Sequence, residues 1–224
     1  MSSFSGPKTF INNLVLYLDA ANPDSYISGS TTWYDLSGNN YNGTLVNGTG
    51  FSNELNGCMV FDGTDDIITT NLNTLNSSCS FEIWANKTEH INLYNMMAGM
   101  FRPFLSFRSS SIQFANTIND ITQSVISSGT TPTINKWYCF QFTNSYDGVN
   151  TSVSIYINGV LVGNATYSGQ IKSPTVNSFT IGNYRATPID YPFKGKISVV
   201  KVYNKALTLD EINQNYNATK ERYL

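Results

Sequence analysis

Charge is scarce in this chain. Of 224 residues, 13 are Lys or Arg and 15 are Asp or Glu, which leaves a net charge of −2. The few basic residues are dispersed, so the basic stripe of a nucleic-acid binder is missing and nucleic acid is excluded as an expected partner. Histidine is scarcer still, with His90 standing alone. A Ser-His-Asp triad would have to use it, yet no nucleophile-elbow pattern accompanies it, and the ligand pairs of a His-rich zinc site are absent. Three cysteines, Cys58, Cys79 and Cys139, are an odd number at spacings unlike any metal finger. Buried free thiols are the favoured reading, with a Cys58 to Cys79 disulfide left open. No apolar run reaches the length that crosses a bilayer, and residues 1–13 lack the apolar core of an export signal. The expectation is a chain with no membrane partner and no classical leader.

What the chain has instead is amide and aromatic side chains. Asn occurs 28 times and aromatics make up 13%, so solubility must come from uncharged amides and hydroxyls on strand faces and turns. The length suits one large core, and all-β sandwiches of this size commonly form one domain. Residues 1–12 read as an N-terminal tail or assembly arm and residues 13–224 as the domain.

Short apolar runs closed by turn residues then follow one another along the chain. Leu14-Val15-Leu16-Tyr17-Leu18, ended by Asp19 and the Asn22-Pro23-Asp24 turn, reads as a first core strand. Residues 59–61 and 67–70 are two strands or one bent strand around the acidic turn Asp62-Gly63-Thr64-Asp65-Asp66. In Ser80-Phe81-Glu82-Ile83-Trp84-Ala85 the alternation places Phe81, Ile83 and Ala85 on one face, with Glu82, Trp84 and Asn86 on the other. Residues 104–107, 112–115, 122–126 and 137–143 are further strands, with Ser109-Ser110-Ser111 as a turn. Asn158-Gly159 supplies the two positive-φ residues of a type I′ turn. It sets Ile157 opposite Val160 and Ile155 opposite Val162, with Tyr156 and Leu161 on the other face. Phe179-Thr180-Ile181 and residues 197–203 are the last strands, joined by a loop carrying Tyr184, Arg185, Pro188, Asp190, Tyr191 and Pro192. Thr208 and Glu211, three apart, form a capping box that opens one closing helix with Ile212 and Tyr216 on a common face.

In their order these landmarks resemble the laminin-G-like, concanavalin A-like jelly-roll family. The matching pieces are residues 14–20, the Trp33-Tyr34-Asp35-Leu36-Ser37-Gly38-Asn39-Asn40 motif, Phe61-Asp62-Gly63-Thr64-Asp65-Asp66, Phe81-Glu82-Ile83-Trp84, Trp137, Tyr156-Ile157-Asn158-Gly159, Ile181-Gly182, residues 193–197, and Val202-Tyr203-Asn204-Lys205-Ala206-Leu207. The resemblance implies an all-β, two-sheet antiparallel jelly-roll sandwich with one short C-terminal helix. The wording of the N-terminal third is similar to laminin-G-like domains in structural proteins of tailed-phage virions. That similarity implies a non-enzymatic decoration, tail or fibre protein, located in the virion and partnered by other virion proteins or by itself as a homo-oligomer. The wider family also implies two alternatives, a carbohydrate-binding lectin module at an extracellular surface, in some members with calcium, and a glycoside hydrolase.

The residues weigh against hydrolysis. That chemistry needs two carboxyls, about 5–5.5 Å apart for retention and wider for inversion, and Glu82 is the only acid inside a firmly read strand. It is expected to be a solvent-facing or hydrogen-bonded strand residue. Asp62, Asp65 and Asp66 are the candidate Ca²⁺ ligands, because hard cations take clustered carboxylates. Turn capping by the same side chains is the favoured reading, and the same choice applies to Asp35 with Ser37 and Asn39. For a glycan or protein partner the candidates are Tyr184 and Tyr191, in a loop, with Trp33 and Tyr34; Trp33 and Trp84 also suit core packing. Asn42-Gly43-Thr44 and Asn164-Ala165-Thr166 follow from composition and carry no argument for glycosylation.

Overall fold

A computed structural model describes residues 8–89, 94–100, 103–108, 111–118, 121–127, 132–171, 178–184 and 191–224. His90, the Ser109-Ser110 part of the expected turn and loop residues Arg185, Pro188 and Asp190 lie outside these. In chain order the strands are β1 (Leu14–Asp19), β2 (Thr32–Trp33), β3 (Gly43–Val46), β4 (Gly50–Ser52), β5 (Cys58–Asp62), β6 (Ile67–Thr69), β7 (Cys79–Lys87) and β8 (Tyr94–Gly99). They continue with β9 (Phe104–Arg108), β10 (Ser111–Ile118), β11 (Ile121–Ile126), β12 (Trp137–Tyr146), β13 (Asn150–Ile157), β14 (Val160–Ser168), β15 (Thr180–Ile181) and β16 (Lys194–Tyr203). A helix, α1 (Leu209–Thr219), runs into a 3₁₀ turn at Lys220–Arg222.

Two antiparallel sheets face each other. The front sheet runs β14-β13-β12-β7-β16-β5-β4, with β1 also paired to β16; the back sheet runs β11-β10-β9-β8-β15-β6-β3-β2. The expected sandwich with one short C-terminal helix is what the chain forms. The acidic turn after β5 is a crossing point, because β5 belongs to the front sheet and β6 to the back one, so the open choice resolves as two strands. Alternation fills the space between the sheets. Phe81 meets Phe142 edge-on at 4.5 Å and Phe179 at 5.2 Å, and Phe114 stacks on Phe142 at 3.9 Å across the interface.

The other face of β7 is also dry, which two-residue alternation alone does not anticipate. Helix α1 and the segment after it lie over the front sheet. Tyr223 stacks on Trp84 at 3.9 Å with Tyr216 at 5.9 Å, and the Trp84 indole N–H donates to Thr219 Oγ1. Glu82 is therefore not solvent-facing. It is wholly buried in an ion pair of 2.8 Å with Lys201 and accepts from Gln141 Nε2, which also donates to the Ile212 carbonyl. The capping box forms as read, with Thr208 Oγ1 accepting from Glu211 N and Glu211 accepting from Thr208 N. A bidentate pair from Arg222 to Asp19 ties the end of the chain to β1. Residues before position 13 join this layer: the Lys8 carbonyl accepts from Gln214, Thr9 Oγ1 from Lys201 Nζ, and the Phe10 carbonyl from the Tyr203 hydroxyl.

Asn158 and Gly159 take φ of 53° and 78° in the hairpin turn, with Ile157 opposite Val160 and Tyr156 opposite Leu161. One residue further the register departs from expectation. A bulge sets Ile155 opposite Gly163 instead of Val162, as an inserted residue does. The three cysteines are buried and free, and burial pushes the Cys58 thiol up to about 11 and Cys79 up to about 12. Among the described residues no helix is long and apolar enough to cross a membrane.

Candidate functional site

On the back sheet, alternation sends Leu105 and Phe107 of β9 into the core and leaves Phe104 and Ser106 facing outward. Register carries that outward face across the sheet. Phe104 stands opposite Ala115 of β10, and Ser106 stands opposite Gln113 on one side and Met96 of β8 on the other. The connection from β15 to β16 lays Tyr184 and Tyr191 over these strands. Tyr184 meets Phe104 edge-on at 5.8 Å, and Tyr191 meets both Tyr184, at 5.5 Å, and Tyr94, at 5.3 Å. Its backbone is pinned as well, because Met96 N donates to the Tyr191 carbonyl at 2.9 Å.

The result is a groove of about 150 Å³ lined by Tyr94, Phe104, Gln113, Ala115, Thr122, Tyr184 and Tyr191. Its rings are apolar surface with hydroxyl tips, and its described lining carries no charge. Gln113 is 6% exposed, and its Oε1 is buried without a hydrogen-bond partner, as is the neighbouring Ser106 Oγ. A buried carbonyl oxygen left unpaired costs its desolvation penalty, on the order of 1–3 kcal/mol. A ligand that brings a hydroxyl or N–H donor into the groove removes that cost.

The structure sorts the residues singled out from sequence. Tyr184 and Tyr191 come together as groove walls, although Tyr184 is buried while Tyr191 is 37% exposed. Trp33 is not a surface residue: it is wholly buried in the core cluster with Leu18 and Ile68, so a ligand cannot reach it. Tyr34 is 45% exposed but does not line the groove. The rest of its motif is a hydrogen-bonded brace. Asp35 accepts from the N–H groups of Tyr17, Ser37 and Tyr41, and Asn39 Nδ2 donates to the Val15 carbonyl.

Asp62, Asp65 and Asp66 do cluster, with one carboxylate oxygen of each within 4.8 Å of the others. The side chains serve the turn itself: Asp66 accepts from Asp62 N at 2.7 Å and Asp62 accepts from Thr64 N at 2.7 Å. Burial, reinforced by the Asp62 and Asp65 charges, pushes the Asp66 carboxyl up to about 6, against the opposing backbone bond from Asp62. Glu82 is sealed under α1 by Lys201 and Gln141, out of reach of any substrate.

The sandwich order and these faces agree with a family model described as the concanavalin A-like lectin/glucanases superfamily, which matches residues 61–213. The chain belongs to this superfamily. No curated protein sequence matches it. Among solved structures, this superfamily member is similar to the receptor-binding domain of botulinum neurotoxin type G, at 20% identity and a TM-score of 0.65, covering 91% of this chain and 51% of that one. The binding domain of Paraclostridial Mosquitocidal Protein 1 is similar at 14% identity and a TM-score of 0.68, with 92% and 52% covered. Domain 4 of the extracellular arabinanase AbnA from Geobacillus stearothermophilus, solved in complex with arabinotriose, is similar at 18% identity and a TM-score of 0.65, with 91% and 98% covered. The chain thus spans about half of the two binding domains and nearly all of the arabinanase domain. These likenesses show the fold.

Tyr94, Phe104, Gln113 and Thr122 were not singled out from sequence. One signal was available: Gln113 stands between Ile112 and Phe114, a lone amide opposite a run of core residues.

Proposed function

We propose that this chain is a non-enzymatic glycan-binding adhesive module whose back-sheet groove holds the sugar. The observation that carries the reading is that Gln113, a nine-tenths buried residue whose carbonyl oxygen has no hydrogen-bond partner, lines a groove walled by tyrosine rings. Sugars present hydroxyl donors at their edges and C–H groups on their faces, which is what such a wall and acceptor complement. Support comes also from the similar domains, one a neurotoxin receptor-binding domain and one solved with arabinotriose bound. The test is a glycan array probed with labelled protein and with Gln113→Leu, which keeps the volume and removes the acceptor. Binding by the wild type that the variant loses is the expected result; equal binding by both sends the ligand elsewhere on the surface.

The setting we propose for this module is a tailed-phage virion, as a homo-oligomeric decoration or fibre component that touches cell-surface glycans. The support is the resemblance of the N-terminal third to such proteins. Light scattering on the full chain tests it, with a defined oligomer expected and a monomer at all concentrations counting against it.

A further inference from the structure

Among the described residues eight non-glycine positions hold a left-handed backbone, and six of them are asparagine: Asn13, Asn40, Asn47, Asn56, Asn135 and Asn158. Asparagine tolerates this region because its short amide bonds locally, whereas a bulky side chain crowds its own carbonyl. The chain therefore has a consistent solution for such positions, and departs from it at Leu55, enclosed in a 3₁₀ turn, and at Tyr191, with φ of 62°. Tyr191 is the more informative of the two. The residue is more than a third exposed, so full burial does not explain why a tyrosine stands where asparagine or glycine fits without strain. Strain of this kind costs on the order of 1–3 kcal/mol and clusters at active sites and ligand clamps. What the strained backbone achieves is visible: it holds the ring edge-on to Tyr94 and Tyr184, on the wall of the groove that contains the unpaired Gln113 oxygen.

Building on the glycan-binding reading above, we infer that Tyr191 is the stacking platform of the groove and that its ligand is one neutral sugar ring, its C–H face on Tyr191 and a hydroxyl donating to Gln113 Oε1. Charge selects the class. A carboxylate would enter a described lining without a charged residue, lose its hydration and meet the Gln113 acceptor oxygen; the Arg108 guanidinium lies over the Tyr94 ring, 5.8 Å from its centroid, without lining the groove. Size limits the ligand too, since about 150 Å³ is below the range of roughly 300–1,000 Å³ that houses a drug-sized molecule. One ring of a longer chain is held, and the remainder lies along the surface.

The experiment is calorimetric titration of the full chain with arabinotriose, cellotriose, an N-acetylglucosamine trimer and sialyllactose, together with thermal melts. The variants are Tyr191→Phe, Tyr191→Ala, Tyr191→Gly and Gln113→Leu. The wild type is expected to bind a neutral probe at least about tenfold more tightly than sialyllactose. Tyr191→Phe should stay within about twofold of it, while Tyr191→Ala and Tyr191→Gly each weaken binding by about tenfold, the scale of a lost ring contact plus its buried area. Tyr191→Gly should melt higher than Tyr191→Ala by about 2–4 °C, because glycine takes this φ freely and alanine does not. The inference is overturned if Tyr191→Gly keeps its affinity, if it melts no higher than Tyr191→Ala, if sialyllactose is preferred, or if the wild type binds no neutral probe. Loss of binding in Gln113→Leu with retention in Tyr191→Gly rejects the platform and keeps the groove. Retention in both rejects the groove itself.

Discussion

Replacing Lys201 by methionine leaves the Glu82 carboxylate buried with one neutral donor, Gln141 Nε2, in place of an ammonium 2.8 Å away. Both side chains of the pair are fully shielded from water, so solvent cannot substitute for the missing charge. Removing one member of a buried pair costs about 3–5 kcal/mol, whereas replacing both with apolar groups of similar volume is often neutral or stabilising. In a chain of this size each kcal/mol moves Tm by about 2–4 °C, so Lys201→Met should melt on the order of 10 °C lower. The double variant Glu82→Leu, Lys201→Met should recover most of that, since Gln141 keeps the Ile212 carbonyl as a partner. Urea unfolding of wild type, both single variants and the double variant measures the coupling, with the m-value checking that the same surface is exposed each time. A Lys201→Met loss under about 1 kcal/mol, or a double variant as unstable as the sum of the singles, would falsify the claim that the layer beneath α1 is dry.

Three other measurements follow from the same structure. Arg222→Ala strands Asp19, which the guanidinium holds through two bonds of 2.7 and 3.0 Å; a loss of about 2 kcal/mol in urea is expected, the scale of hydrogen bonds to a charged group, and no loss would show that the chain end does not latch β1. Asp66 is raised to about 6 in the fold from roughly 3.9 unfolded, so the folded state binds the extra proton between those values. Its contribution is present below about pH 4 and is lost as pH rises through 6. Asp66→Asn should therefore raise Tm at pH 7 more than at pH 4.5, and an equal effect at both would mean that the carboxyl is not destabilised by its site. Millimolar Ca²⁺ is expected to leave Tm unchanged, because Asp62 and Asp66 already accept from backbone N–H groups of their own turn. A rise that grows with Ca²⁺ concentration and vanishes in Asp65→Asn would identify a metal site there instead.

Glu82 and the groove illustrate why some features were legible in the sequence and others were not. Glu82 lies in a strand whose alternation is plain, and from the strand alone its face reads as the outer one. Of the two expectations for it, solvent-facing or hydrogen-bonded, the second holds, because the cover comes from α1 and from Lys201, which is 119 residues away. Tyr184 was placed correctly in a loop, yet loop position says nothing about the rings it folds onto. Trp33 was a platform candidate by type but read more readily as a core residue, and the packing of β2 against the core bears out the core reading.

What the sequence by itself determined was short-range: the Asn158-Gly159 turn, the Thr208 and Glu211 cap, the alternation in β7 and the capping of the Ser37 N–H by Asp35, each made by groups a few residues apart. The order of these pieces was enough to identify the sandwich, since strand patterning and turn chemistry are local consequences of side-chain type. The tertiary structure alone decided which outward faces are dry, where the bulge in the β13 and β14 hairpin falls, and that β8, β9, β10, β11 and the loop after β15 converge on one groove. Those outcomes depend on register and on the packing of distant elements. A one-residue shift would turn Gln113 from the groove into the core, and no local signal protects against that.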